Sequence, residues 1–270
     1  MSFLELYDFP FFRNALAGIL ILSIASAMIG TYIITRRLVA ISGGITHACF
    51  GGLGLGYFLG INPVLMAAVF AVASSLGVEM MSTRYRVRED SAIAVVWAIG
   101  MAIGVIFVFL TPGYVPELNS FLFGNILTIG RADLIAFGIF TIVLTLFFAR
   151  YFDMIVAVAF DRDFARVQSL PVTMISTVMT VLVAVCIVLT IKLVGVMLLM
   201  SMLSLPQMIA EIYCRRFKTM MLSSIVISAA GSTVGLLASA VINVPCSALI
   251  VASLAAIFII AKALSPWLKR

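Results

Sequence analysis

The sequence predicts an all-α, polytopic membrane protein. Three observations carry that expectation. Of the 270 residues, 64% are hydrophobic and only 10% charged, against roughly a quarter charged in soluble domains; mean hydropathy is +1.25. Apolar runs of about 20 residues, each long enough to cross a bilayer, recur from end to end. The alternating strands of a transmembrane barrel are absent, and without barrel closure a lipid-embedded backbone satisfies its own hydrogen bonds only as helix.

Nine spans follow in order. The first covers residues 14–35 and stops at Arg36-Arg37; the second, 39–61, ends at Asn62-Pro63. The third, 64–83, runs into the charged cluster RYRVRED, and the fourth, 92–110, into the turn-rich TPGYVPELNS. FLFGNILTIG, 121–130, is too short to cross and reads as a re-entrant or interfacial helix. The fifth span, 132–149, precedes a charged segment, RYFDMIVAVAFDRDFARVQSL. The sixth is 172–191. The seventh, 193–213, contains Pro206, which removes a backbone hydrogen bond and marks a kink. The eighth and ninth are 220–242 and 247–264. Two spans meet around Lys192, and if either fails to cross the count is eight. Residues 1–270 read as one transmembrane domain. The opening MSFLELYDF lacks the basic start of a cleaved signal, so the first span is expected to stay in the mature protein.

The net charge of +6 is a matter of topology rather than of nucleic acid, for which no partner role is expected. Only Arg13, Arg131 and Lys192 fall on one side of the predicted spans; the other 14 of the 17 basic residues fall on the opposite side. Basic loops stay in the cytoplasm. The N-terminus is then outside and the C-terminus inside, in the cell's inner (cytoplasmic) membrane. The four cysteines lie in or beside apolar runs and read as reduced, packed thiols.

One stretch departs from plain lipid-spanning sequence. Ser42–Gly60, SGGITHACFGGLGLGYFLG, holds the only histidine, His47, with Cys49 and seven glycines. Gly52, Gly56 and Gly60 share a four-residue spacing, as do Gly100 with Gly104 and Gly231 with Gly235. That spacing puts them on one helix face, where backbones can approach. A polar solute path would use the same features.

Absences narrow the function. No G-x-x-x-x-G-K-[ST] loop occurs, so the chain does not bind ATP by that route and is not read as an enzyme. The only acids within apolar runs, Glu79 and Glu211, sit near cytoplasmic ends, whereas ion-coupled carriers hold ionisable groups deep in the membrane. A transporter with neither feature takes its energy from a partner; a channel needs none and stays a competitor. The expected docking point is FDRDFARVQSLP, 160–171. Asp161 and Asp163 suit the start of a short helix, with Arg166 a turn later.

Three segments resemble the membrane permeases of bacterial and archaeal ABC importers for zinc, manganese and iron: RRLVAISGGITHACFGGLGLGYFLG with its Ser-His-Ala core, FDRDFARVQSLPV, and KLVGVMLLMSMLSLPQMIA. LFGNIL is a shorter fourth match. The resemblance spans nearly the whole chain. It implies two permease copies, as a homodimer or related pair, with cytoplasmic ABC ATPases, an extracytoplasmic metal-binding protein and a divalent metal ion as cargo. It assigns Asp161, Arg162, Asp163, Ala165, Arg166, Ser169 and Pro171 to the ATPase-coupling element. A permease for a larger metal chelate is the remaining alternative within ABC transporters.

Where such permeases often carry an aspartate before the Ser-His pair, this chain has Gly43 or Gly44; where another aspartate precedes a late proline, it has Asn243. The candidate cargo contacts are therefore His47, Cys49, Asn243 and Cys246. Imidazole and thiol ligands favour zinc, iron(II) or copper over manganese. Cys49 leaves a regular helix about 200° from His47, so both can face one ion only if the helix breaks at the glycines. The methionines Met197, Met200, Met202 and Met208 read as apolar filler rather than copper ligands. Because only neutral imidazole binds metal, transport is expected to fall below about pH 6. A flat uptake rate between about pH 7.5 and 5.5 would remove His47 from the path.

Overall fold

The computed structural model describes residues 8–112, 124, 126 and 129–268, and side chains up to residue 265. Among these it is all-helical: α1 Pro10–Thr35, α2 Val39–Leu59, α3 Pro63–Thr83, α4 Glu89–Leu110, α5 Arg131–Phe160, α6 Arg162–Val167, α7 Val172–Val194, α8 Val196–Met202, α9 Leu205–Tyr213, α10 Phe217–Ile242 and α11 Cys246–Leu268. Among the described residues nine segments are long and apolar enough to cross a membrane, α8 and α9 together forming one of them. The expected re-entrant piece at 121–130 and most of the loop before it lie outside the described residues.

Local sequence explains the boundaries. Asn62 caps α3 by accepting from the backbone of Val64 and Leu65, with Pro63 as the first helical residue. Gly60 closes α2 in the left-handed conformation, φ 67°. It does not join the packing row formed by Gly52 and Gly56. Helix α5 runs eleven residues past the expected end, to Phe160, with one non-helical residue at Tyr151. The apolar MIVAVAF carries no glycine or proline to stop it. The joint at Lys192 is helical; the break falls at Gly195, φ 82°.

The chain forms two compact units. The first comprises Met1–Thr35, Asn119–Arg150 and Leu193–Arg270; the second comprises Arg36–Leu118 and Tyr151–Lys192. In the first unit α10 packs on α11 and α1, and α9 on α10 and α11. Gly231 and Gly235 meet Leu254 and Ile250 of α11. Between α1, α8 and α10 runs a buried seam in which the Ser228 hydroxyl meets those of Ser23 and the Met202 sulfur, and Ser232 donates to the same sulfur. Pro206 breaks the seventh span outright instead of kinking it. Lacking an N–H, it leaves the Met202 carbonyl without its helical donor, and the Gln207 side-chain amide fills that place at 3.2 Å while also donating to Ser26 of α1 at 2.8 Å.

In the second unit α2 lies against α4 and α3. Gly51 and Gly54 approach the backbone of Gly100 and Gly104, and Gly52 and Gly56 approach Met66, Ala67 and Pro63. The glycine rows expected from spacing are thus packing surfaces on two different faces of α2. Within each unit burial differs between spans: in the first, 78% of the most apolar stretch is buried in α1 but 17% in α11; in the second, 78% in α2 but 17% in α4. The outer faces keep large apolar side chains exposed, including Phe109, Ile142, Leu146, Val226 and Ile259, as a lipid-embedded surface requires.

A Cβ at Gly104 would sit 2.5 Å from the Phe50 carbonyl oxygen. Gly104→Val is therefore expected to lower the apparent Tm in detergent by about 5 °C, the effect of a forced overpacking. Gly138→Ala, with open space at its Cβ, is expected to hold or raise it; equal melting of both variants would contradict the packing role.

Candidate functional site

His47 sits in the middle of α2, in the second unit, half-buried. Its ring stacks on Trp97 of α4, with centroids 4.6 Å apart and planes 3° from parallel, and lies 5.9 Å from Phe50. The same two helices meet closely at Gly44, Gly51, Gly54, Gly100 and Gly104, and the stack lies among those contacts. The buried Nδ1 has no hydrogen-bond partner among the described residues. Leaving such a nitrogen unsatisfied costs about 1–3 kcal/mol.

The other candidates do not gather round it. Helix α2 is unbroken, so Cys49 points away from His47, and its thiol is buried at 2% exposure. Gly44, one of the places where an aspartate was missing, faces Ile93 so closely that a side chain would collide with it. Asn243 and Cys246 belong to the first unit. Asn243 is exposed and closes α10 in the left-handed conformation, φ 58°, a position asparagine tolerates well. Cys246 is buried at the start of α11, its thiol hydrogen-bonded to Ser239. Among the described residues no three His, Cys, Asp or Glu side chains come together as a metal cage.

The second constellation is the short helix α6. Asp161 caps it, accepting from Asp163 and Phe164 N–H groups at 2.9 Å each. Arg166 pairs with Asp163 on the exposed side at 2.8 Å. Ser169 turns the chain at φ 57°, with the Leu170 N–H donating to the Ala165 carbonyl, and Pro171 leads into α7. Ala165 is fully buried, whereas Phe160, Phe164 and Val167 are 64%, 56% and 84% exposed.

Arg162 does not share that outer face. It turns inward to Glu79 of α3 at 3.2 Å and Glu89 of α4 at 3.4 Å, and meets Ser176 of α7. Glu79 accepts in turn from Ser176 and Thr180, and Glu89 holds Arg36 at 2.6 Å. Sequence reasoning missed this cluster and the Trp97 stack. A signal was present: Glu79 is an acid inside an apolar run, which demands a partner. Removing one member of such a part-buried network is destabilising, because the others keep their charge.

The family model described as the ABC 3 transport family matches residues 8–265. The chain belongs to that family. Within it, the chain is 35% identical over 233 residues to a probable metal transport system membrane protein of Chlamydia pneumoniae, covering 84% of this chain and 78% of that one. It is 29% identical over 269 residues to the manganese import system permease protein ScaB of Streptococcus gordonii, covering 98% and 96%. Among solved structures, PsaBC from Streptococcus pneumoniae in complex with Fab superposes with a TM-score of 0.82 at 26% identity, covering 95% of this chain and 92% of that one. This ABC 3 family chain is a multi-pass, all-α membrane protein.

The thiols offer a direct check of the geometry. Cys214 is half-exposed beyond α9, and the other three cysteines are buried. In intact cells Cys214 is expected to react with a membrane-permeant maleimide and not with an impermeant one; rapid modification of Cys49 in the native protein would show that α2 is open at that point.

Proposed function

We propose that this chain is the permease subunit of an ABC importer for divalent transition-metal ions, acting as one transmembrane domain over residues 1–270 in the cytoplasmic membrane. Two copies, two cytoplasmic ATPases and an extracytoplasmic metal-binding protein make up the transporter. The permease itself hydrolyses nothing. Its cargo contact is His47, whose Nδ1 has no partner among the described residues, and the ion is held loosely enough to leave again. Asn243, Cys49 and Cys246 are secondary candidates. With Cys49 turned away, the soft-ligand preference for zinc or iron loses its main support, and manganese, named for the Streptococcus gordonii relative, is the first ion to test.

The observation that carries this reading is the construction of α6. Ala165 and Arg162 fasten the helix to the membrane helices, while Phe160, Phe164 and Val167 stand exposed with Asp163 and Arg166 beside them. An apolar face with a charged rim suits a protein groove better than water. With the basic loops inside, that groove belongs to a cytoplasmic motor.

Manganese uptake into proteoliposomes holding the permease, the ATPase and loaded binding protein is expected to require internal ATP, and to fall at least about tenfold in His47→Ala, the loss of one good ligand. Phe164→Asp is expected to abolish co-purification with the ATPase. Uptake indifferent to ATP would favour a motor-free carrier or channel.

A further inference from the structure

The ion-pair cluster beneath α6 does more than fasten a loop. One oxygen, Glu89 Oε1, takes both Arg36 Nη2 at 2.6 Å and Arg162 Nη1 at 3.4 Å. Arg36 stands just before α2, Glu89 opens α4, and Arg162 opens α6. A single carboxylate therefore ties together the starts of three helices. Glu79 makes a second tie, from Arg162 to α3 and, through Ser176 and Thr180, to α7. The arginines are 8% and 19% exposed and the two glutamates 28% and 14%, so water and salt screen these pairs far less than surface ones.

Helix α4 carries the tie onward. Trp97 lies eight residues after Glu89, about 12 Å along a helix, and its ring is stacked on His47. Between and beyond these points α4 is locked to α2 by Ile93 against Gly44 and by Gly100 and Gly104 against Ala48 and Phe50. Packed that closely, the two helices shift together or not at all. We infer that Glu89 is a positioning residue that transmits movement of α6 to the stacked His47–Trp97 pair, so that the motor's stroke reorients the imidazole that meets the cargo. The inference rests on the importer reading above.

A purely structural staple would affect folding and assembly alone; a transmitting contact changes how many ions move per ATP. The chain has two tryptophans, so in Trp267→Phe made with 5-hydroxytryptophan, position 97 is the one site excited to the red of the partners' tryptophans. In that background, the complex with its ATPase and manganese-loaded binding protein is reconstituted, and ATP hydrolysis, manganese uptake and Trp97 fluorescence are followed together. Glu89→Gln keeps the shape and removes the charge. It is expected to co-purify with the ATPase and hydrolyse ATP, to move about tenfold fewer ions per ATP, within the span of ordinary coupling energies, and to lose the ATP-dependent change in Trp97 emission. Glu89→Asp, which keeps the charge, is expected to recover part of both. A normal ion-to-ATP ratio and emission change in Glu89→Gln would overturn the inference, as would failure of both variants to assemble, which marks a staple. If the unsubstituted complex takes up no manganese with ATP, the importer reading itself falls.

Discussion

The structure depends on how closely α2 can approach its neighbours. Lipid supplies no hydrophobic force to press helices together, so contact must come from fit. Glycines on one face of α2 meet α4 and glycines on another meet α3, while Gly100 and Gly104 return the contact from the α4 side. The result places the only histidine of the chain flat against Trp97.

Charge is organised with the same economy. Arg36, Glu79, Glu89 and Arg162 form one connected group at the ends of the second unit's helices, with Ser176 and Thr180 both donating to Glu79. Pairing with opposite charge is what makes such groups tolerable away from bulk water. The two constellations, a stacked imidazole and a braced external helix, sit in one compact unit.

Much of the fold was legible because hydrophobic length and turn residues are local signals. Asn62-Pro63 and the apolar runs mark helix ends without any knowledge of neighbours. The short helix α6 was legible for the same reason: Asp161 at its cap and Pro171 after it are one-dimensional signs. What escaped was pairing across distance. Arg162 was read with its sequence neighbours as part of an outward surface, yet it faces Glu79, 83 residues earlier. His47 and Cys49 could share one ion only if the helix broke at the glycines, but these serve close packing and the helix is continuous. Asn243 drew attention as a missing aspartate, whereas its local task is to end α10 in a left-handed turn. Pro206 was visible as an interruption, but not that Gln207, one residue on, supplies the donor it lacks.

That last pairing bears on how the seventh span is completed. The halves on either side of the break, seven and nine residues long, are each too short to hold a place in the bilayer alone. The amide that heals the gap also grips Ser26, on a helix synthesised about 180 residues before it. The seventh crossing therefore completes its polar pairing only with the first beside it, so parting α1 from it would leave the Gln207 amide one acceptor short.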